Sequence, residues 1–298
     1  MTCALAVGME KTAAMYSQIL VPLDGSKLAE QVLPYAQMLA GAFGAALTLL
    51  QVTDPDARRP FTLSQSAGDY LKYAAARLSP LPVGVLEKIG KPAEVIVDLA
   101  RADADGLIAM ATHGVSGPRR WFLGSVASKV VQSAENPVLL IRATQAAPTS
   151  PAFERVIVPL DGSGVAERAL PHARMLAGKL NIELVLVRTY SLPPDIYLVA
   201  DGVIDQGPAT YRENLHDESE KYLDGKVAGL RADGCASVSA HVSEGDPASE
   251  IVDLASAPQS LIAMATHGRS GVGRWALGSV AERVVQHARA PVLLIRAR

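Results

Sequence analysis

The chain carries the same sequence twice. Residues 107–143 and 261–297 align without gaps, with 28 identical residues out of 37. Shorter stretches repeat in the same order before them: ILVPLDGS (19–26) returns as VIVPLDGS (156–163), and GKPAEVIVDLA (90–100) returns as GDPASEIVDLA (245–255). A repeat of this length predicts one duplicated domain, and each copy is large enough to bury a hydrophobic core of its own.

The repeat divides the chain into two domains, a linker and a leader. We place the first domain at 15–143, the linker at 144–152 and the second domain at 153–298. Residues 1–14 have no counterpart before the second copy, and the charged pair at 10–11 stands where a signal peptide would be apolar. We therefore expect these residues to be a disordered leader, or the result of a start codon assigned too early, with Met15 opening the domain.

Composition narrows the class of protein. Of the 298 residues, 49% are hydrophobic and 19% are charged, which is typical of a globular protein. The net charge is −2 without a long Lys/Arg cluster, which disfavours a nucleic-acid partner. No apolar run approaches the roughly 20 residues of a membrane-spanning helix. Cys3 and Cys235 are too isolated for a disulfide framework or a metal site, so we expect a cytoplasmic protein without a membrane partner.

Apolar, β-branched segments alternate with helix-type segments in both copies. The expected strands are 19–23, 46–53, 83–89, 106–112 and 137–143, matched by 156–160, 182–190, 236–243, 260–266 and 291–297. The expected helices are 27–42, 69–78, one starting at Pro92 and 125–134, matched by 164–178, 209–230, one starting at Pro247 and 279–288. This pattern predicts an α/β fold with two repeated, doubly wound, parallel five-stranded sheets and helices on both faces. Pro34 and Pro171 should bend the first helix of each copy, and Gly44 should close that helix in the first copy.

A glycine loop follows the fourth expected strand of each copy. It contains Gly114, Gly124 and Ser125 in the first copy, and Gly268, Gly278 and Ser279 in the second. Glycines let backbone N–H groups approach a phosphate, and a helix that starts there adds N–H groups without partners. The loop therefore predicts an anion site. The alternative is that each serine only caps its helix, and at Ser279 a glutamate three residues later would complete a capping box.

Asp24 and Asp161 end the first strand of each copy. Ligands of open parallel sheets bind beyond the carboxyl ends of the strands, so each carboxylate could accept ribose hydroxyls. The structural alternative is an Asx-turn that closes onto the next helix. His113 and His267 have neither a nucleophile signature nor metal-ligand spacing near them, so we predict no catalytic residues and no metal ligands.

These residues resemble the universal stress protein family in its tandem, two-domain form. Nucleotide-binding members carry G-x2-G-x9-G-[ST] after the fourth strand, and this chain has Ala111 and Ala265 in place of the first glycine. The resemblance implies strand order 3-2-1-4-5 and assigns the ribose contact to Asp24 and Asp161. Further residues that the resemblance places at the nucleotide are Pro22 and Pro159 at the base pocket, Val52 and Thr189 with a backbone contact to adenine, and Val126 and Val280 with N–H groups at the phosphate.

The function implied is that of an ATP- or AMP-binding stress-response protein acting as a nucleotide-dependent sensor or adaptor. Mg²⁺ could accompany ATP. Two alternatives stay open: a slow ATPase, and a scaffold that has lost nucleotide binding. An ATPase of the P-loop type is disfavoured because the loop has no GK[ST] lysine.

The last strands, 137–143 and 291–297, read PVLLIRA in both copies. In the family's strand order each lies at a sheet edge, and an uncovered apolar edge invites pairing with another strand. We therefore expect an intramolecular pseudo-dimer that brings Val138 and Leu140 near Val292 and Leu294. Such a pair could form a homodimer but would not need to.

Overall fold

The computed structural model describes residues 15–56, 67–112, 123–143, 151–192, 208–257, 259–266 and 277–296. The first copy contains β1 (Gln18–Leu23), α1 (Leu33–Phe43), β2 (Ala46–Thr53), α2 (Ala67–Ala76), β3 (Val83–Ile89), α3 (Pro92–Arg101), β4 (Leu107–Ala111), α4 (Ser125–Ser133) and β5 (Val138–Ile141). The second contains β6 (Arg155–Pro159), α5 (Ala169–Leu180), β7 (Glu183–Tyr190), α6 (Pro208–Ala232), β8 (Val238–Glu244), α7 (Pro247–Leu254), β9 (Ser260–Ala265), α8 (Ser279–His287) and β10 (Val292–Ile295).

All ten strands belong to one sheet, in the order β3-β2-β1-β4-β5-β10-β9-β6-β7-β8. Each half has the strand order 3-2-1-4-5, and its strands run parallel, as the sequence predicted. The halves join where β5 pairs antiparallel with β10, with Val138 opposite Leu294 and Leu140 opposite Val292. The prediction that the last strands meet is therefore confirmed.

A hydrophobic core lies on each face of the sheet and runs through both halves. The alternation of side chains along a strand assigns Leu139 and Leu293 to the core on the α1 and α5 face. Val138, Leu140, Val292 and Leu294 belong to the core on the α4 and α8 face. Strand β4 is buried along its whole length, as expected for a parallel strand covered on both sides. Among the described residues, no helix has the length and apolar character needed to cross a lipid bilayer.

The predicted proline bends are wrong. A short 3-10 helix precedes the α-helix in each copy, at Ala29–Val32 and Ala166–Arg168. Pro34 is the second residue of α1 and Pro171 the third of α5, so both prolines lie in a first turn. The N–H groups of a first turn have no acceptor within the helix, and a missing one therefore costs nothing there.

The ends of these two helices show how the copies diverged. Helix α1 stops at Gly44, which has a φ of 65°, as its glycine predicted. Helix α5 continues past the predicted 178 and stops at Asn181, which has a φ of 53°. Asparagine is the residue other than glycine that most often adopts this left-handed conformation, so it ends the helix in the second copy.

Aromatic side chains of α1 and α5 contact the opposite half. The hydroxyl of Tyr16 lies 2.7 Å from Nδ1 of His172, and their rings are 5.8 Å apart. The pseudo-twofold partner of this contact joins Tyr35 to Phe153, also with 5.8 Å between the rings. Burial lowers the pKa of His172 to about 4 and raises that of Tyr16, so both side chains are neutral at pH 7.

The stability of the protein should depend on pH through His172. In the unfolded chain its pKa is near 6.5, so between about pH 4 and pH 6.5 the unfolded state binds more protons than the folded state. The stabilisation is fully present above pH 6.5 and is lost as the pH falls through this window, by at most about 3 kcal/mol. Urea unfolding at a series of pH values would measure this dependence.

Two variants separate this effect from general acid denaturation. His172→Tyr places the residue found at the equivalent position 35 and should flatten the pH dependence. His241→Gln removes a histidine that is exposed to solvent and should leave the dependence as in the unsubstituted protein. An unchanged slope in the His172→Tyr protein would contradict the assignment.

Candidate functional site

The strand register brings three predicted regions of the first copy to one level of the sheet. Leu23 lies opposite Gln51, so the next residues, Asp24 and Val52, are level with each other. Leu20 lies opposite Ile108, and the same register makes Asp24 level with Thr112. With neighbouring strands about 4.8 Å apart, Val52 and Thr112 flank the aspartate across about 10 Å.

The second copy repeats this arrangement. Pro159 lies opposite Val187, which makes Asp161 level with Thr189 on β7. Arg155 lies opposite Ser260, which makes Asp161 level with Thr266 on the other side. Val52 follows Asp24 by 28 residues and Thr189 follows Asp161 by 28, and this spacing is the register of the first and second strands in both halves.

Each aspartate holds a tight turn. The Asp24 carboxylate oxygen Oδ1 accepts from the backbone N–H of Ser26 at 3.0 Å and from its hydroxyl at 2.6 Å. Asp161 binds Ser163 in the same way, at 2.9 Å and 2.6 Å. Gly25, between Asp24 and Ser26, has a φ of 83°. This conformation favours glycine strongly and explains the Asp-Gly-Ser sequence. The Asx-turn considered from the sequence is therefore present.

The turn and a ribose contact are compatible. A carboxylate has two oxygens that together accept about four hydrogen bonds. The two serine contacts take up two of these, both at Oδ1, in Asp24 and in Asp161. Both aspartates are partly exposed at the carboxyl edge of the sheet.

Thr112 and Thr266 anchor the starts of α4 and α8. The N–H of Gly124 donates to the Thr112 carbonyl at 2.8 Å, and that of Gly278 donates to the Thr266 carbonyl at 2.7 Å. The helix therefore starts beside the end of the fourth strand of its half. Both threonines are buried and were missed from the sequence, although each is identical in the two copies, directly after the strand.

Ser125 and Ser279 are not helix caps. The N-cap residues are Gly124 and Gly278, which have non-helical φ and ψ, and each serine is the first helical residue. The capping box considered as an alternative at Ser279 does not form, because a box needs the serine one position earlier. The φ of Gly124 is −56°, which any residue can adopt, so its backbone conformation does not explain the glycine.

The N–H groups of the first helical turn face the edge without an acceptor inside the helix. In α4 the first N–H that bonds within the helix is that of Ser128, to the Gly124 carbonyl. The N–H groups of Ser125, Val126 and Ala127 precede it. Ser279 and Val280 open α8 in the same way, with Glu282 as its first internal donor. Ser125 and Ser279 are exposed at these helix starts.

Ala111 and Ala265 are strand residues. Ala111 lies opposite Ile141 and Ala265 opposite Ile295, and both are buried. Alanine suits this extended backbone, so the missing first glycine does not disturb the strand. Pro22 and Pro159 are partly exposed, one level below their aspartates. Gly114 and Gly268 lie outside the described residues.

A tyrosine–glutamate hydrogen bond near the aspartate of the second copy was also missed from the sequence. Tyr222 donates to Glu167 at 2.8 Å. Burial would raise the pKa of Glu167, but Lys226 and the Tyr222 hydroxyl outweigh it and lower the pKa. In the first copy, burial together with the Glu30 and Asp24 charges raises the pKa of Tyr70. Each edge therefore carries a second acidic group near its aspartate.

Among the described residues, one group of possible metal ligands lies on α6, where the ring of His216 is 6.1 Å from that of Tyr190 at the end of β7. Ligand atoms of His216, Asp217 and Glu220 lie within 4.8 Å of one another. Their side chains are largely solvent-exposed, and exposed acidic groups commonly cluster without an ion.

Replacing either serine with alanine should leave the stability of the fold nearly unchanged. Neither serine occupies an N-cap position, so we expect Ser125→Ala and Ser279→Ala to change the free energy of unfolding by less than about 0.5 kcal/mol. Urea denaturation measures this change. Asp246→Ala is the matched control because Asp246 does cap α7, accepting from the Ser249 N–H at 2.9 Å, and its loss should cost about 1 kcal/mol or more. A loss of that size in both serine variants would show that the serines act as caps.

Comparisons with known proteins identify the family. The model of the universal stress protein family matches residues 15–142 and again residues 152–296. A universal stress protein of Methanocaldococcus jannaschii is 32% identical over 145 residues, covering 48% of this chain and 82% of that protein. A universal stress protein of Mycobacterium tuberculosis is 25% identical over 299 residues, covering 93% of this chain and 96% of that protein. The crystal structure of a universal stress protein from Archaeoglobus fulgidus matches with a TM-score of 0.60 and 20% identity, covering 95% of this chain and 98% of that one. With two family matches that together span most of its length, the chain belongs to the universal stress protein family.

Proposed function

We propose that each half of this protein binds an adenine nucleotide, ATP or AMP, at the carboxyl edge of its sheet. The protein would act in the cytoplasm as a nucleotide-dependent sensor or adaptor in a stress response. The observation that carries the proposal is the meeting, at one edge, of the Asp24 carboxylate with the start of α4, held there by Thr112. The second half repeats this meeting with Asp161, Thr266 and α8.

The phosphate groups would lie at the helix starts. Backbone N–H groups and the positive end of the helix dipole favour an anion there. The N–H of Gly124 is already bonded to Thr112, so the groups that would contact phosphate are those of Ser125 and Val126. Helix α4 has no acidic residue in its first turn, which suits a negatively charged ligand.

The nucleoside would lie across the strand ends. Asp24 and Asp161 offer carboxylates to ribose hydroxyls, and Val52 and Thr189 lie level with them on the neighbouring strand. About 10 Å separates that strand from Thr112, and the bound nucleotide would have to span this distance from its base to its phosphates. Mg²⁺ would accompany ATP chiefly through the phosphates, since this ion keeps several waters and few protein ligands.

The two sites differ in charge. Helix α8 carries Glu282 in its first turn, where α4 has Ser128. Arg283, which could offset this charge, is already paired with Asp246 at 2.6 Å and 2.8 Å. A like charge in the first turn opposes an anion at the helix start, so the second site should bind phosphate less tightly.

Calorimetry should show about two nucleotides bound per chain, with the first site tighter by about two- to fivefold. Glu282→Ser copies the first half into the second and should bring the two affinities together. Ser128→Glu is the reciprocal change and should weaken the first site by a similar factor. Absence of ATP and AMP binding at millimolar concentration would instead favour a scaffold that has lost nucleotide binding.

A substitution at the glycine N-cap assigns the sites individually. Gly124→Leu keeps an allowed backbone conformation but places a side chain at the helix start, and should remove the first site only. Gly124→Ala is the smaller control, and Gly278→Leu is the matched change in the second half. Loss of both sites in the Gly124→Leu protein would indicate a folding defect, which its unfolding curve would reveal.

Hydrolysis of ATP should be far slower than ordinary enzymatic turnover, which is about 1–1000 per second. The described edge supplies carboxylates and N–H groups, and each Asp carboxylate is engaged in its turn rather than aimed as a base. Phosphate release by purified protein should remain well below one turnover per second. A rate in the enzymatic range that disappears in an Asp24→Ala, Asp161→Ala double variant would establish an ATPase.

A further inference from the structure

Each half ends its last strand with an arginine that crosses to the other half. Arg142 follows β5, and its Nη1 donates to carbonyls at the C-terminal end of α8. The acceptors are those of Gln286 at 3.3 Å, His287 at 3.2 Å and Ala288 at 3.1 Å. A cation at this position satisfies carbonyls that have no partner within the helix and opposes the negative end of its dipole.

The second half makes the equivalent contact with the first. Arg296 follows β10, and its Nη1 donates to the carbonyls of Ser133 at 3.1 Å and Ala134 at 2.9 Å, at the C-terminal end of α4. The two arginines occupy equivalent positions of the repeat. The last helix of each half is therefore held at its C-terminal end by the other half.

These two helices are the ones that begin at the candidate phosphate sites. Helices α4 and α8 have nine residues each, so their two ends are only about 13 Å apart. Helices this short are not stable alone and depend on tertiary contacts for their order. A contact that fixes the C-terminal end therefore also fixes the N–H groups at the start.

Hydrogen bonds continue from each arginine to the site of its own half. Ile295, next to Arg296, accepts from the Thr266 N–H at 2.9 Å, and the Thr266 carbonyl accepts from Gly278 at the start of α8. In the first half the same path runs from Arg142 through Ile141 and Thr112 to Gly124, with 2.9 Å between Thr112 N and Ile141 O. Together with α4 and α8, the two paths form a closed ring through both sites.

We propose that Arg296 is a positioning residue for the nucleotide site of the first half and Arg142 for that of the second, so that the two sites are coupled across the β5–β10 pairing. This inference rests on the proposed function. Phosphate binding at the start of α4 strengthens the hold of Arg296 at its end, because any coupling between two contacts is reciprocal. Occupation of one site thereby favours the ordered arrangement on which the other depends.

Amide hydrogen exchange tests the positioning role without any nucleotide. Arg296→Ala should speed exchange in the last turn of α4 and leave α8 unchanged, whereas Arg142→Ala should do the reverse. Arg155→Ala is the matched control because Arg155 Nη2 binds the Leu254 carbonyl at 2.9 Å, at the end of α7 in its own half. Arg155 Nε also donates to Ser260 Oγ at the start of β9, so that variant should loosen the end of α7 and the start of β9 and leave α4 and α8 unchanged. Faster exchange in the variant's own half, or in neither helix, would overturn the proposal.

Nucleotide titration tests whether each arginine affects the affinity of the site in the opposite half. With the second site silenced by Asp161→Ala, Arg296→Ala should weaken binding at the first site by about three- to tenfold, more than Arg142→Ala does. With the first site silenced by Asp24→Ala, the order of the two arginine variants should reverse. Arg296→Lys should restore most of the affinity, since one nitrogen makes both contacts.

The two proposals fail in different ways. If the unsubstituted protein binds no nucleotide, the proposed function is wrong, and the crosswise exchange pattern alone decides whether the arginines position the helices. If nucleotide binds but both arginine variants keep full affinity at both sites, the coupling is wrong and the proposed function stands.

Discussion

The antiparallel pairing of β5 with β10 is the contact on which the rest of the molecule depends. It turns two five-stranded sheets into one sheet of ten and makes each hydrophobic core continuous between the halves. The strand edges that would otherwise be exposed and apolar are buried by each other. It also brings Arg142 and Arg296 to the helix ends of the opposite half, where each satisfies carbonyls that a helix cannot satisfy itself.

The candidate site is a consequence of strand register. All strands of a half run parallel, and their register brings Val52, Asp24 and Thr112 to one level of the sheet. These three residues are far apart in the sequence. Thr112 then places the start of α4 at this level through the hydrogen bond that its carbonyl accepts from Gly124. A carboxylate and a row of N–H groups thus face the same edge, and this combination suits a ligand with both hydroxyls and phosphates.

The sequence predicted well where chemistry is local. Repetition identified two equivalent halves, Pro92 and Pro247 marked helix starts, and Gly44 marked a helix end. The sequence-based predictions failed where the same residue type is common at two different positions of a helix. Pro34 suits a first helical turn better than a bend, and Ser279 lies one residue past the capping position because Gly278 is held by Thr266. That hydrogen bond joins residues from separate elements, and the sequence of the helix carries no sign of it.

By itself, the sequence determined the duplication, the α/β alternation and the apolar last strands, and it offered the Asp-Gly-Ser turns as an alternative. Each of these depends on residues that are close along the chain, or on the period of a strand or a helix. Only the tertiary structure decided that Thr112 anchors α4, that His172 is buried against Tyr16, and that each arginine binds the other half. These contacts join residues that are far apart in sequence, and only the pairing of the strands brings those residues close together.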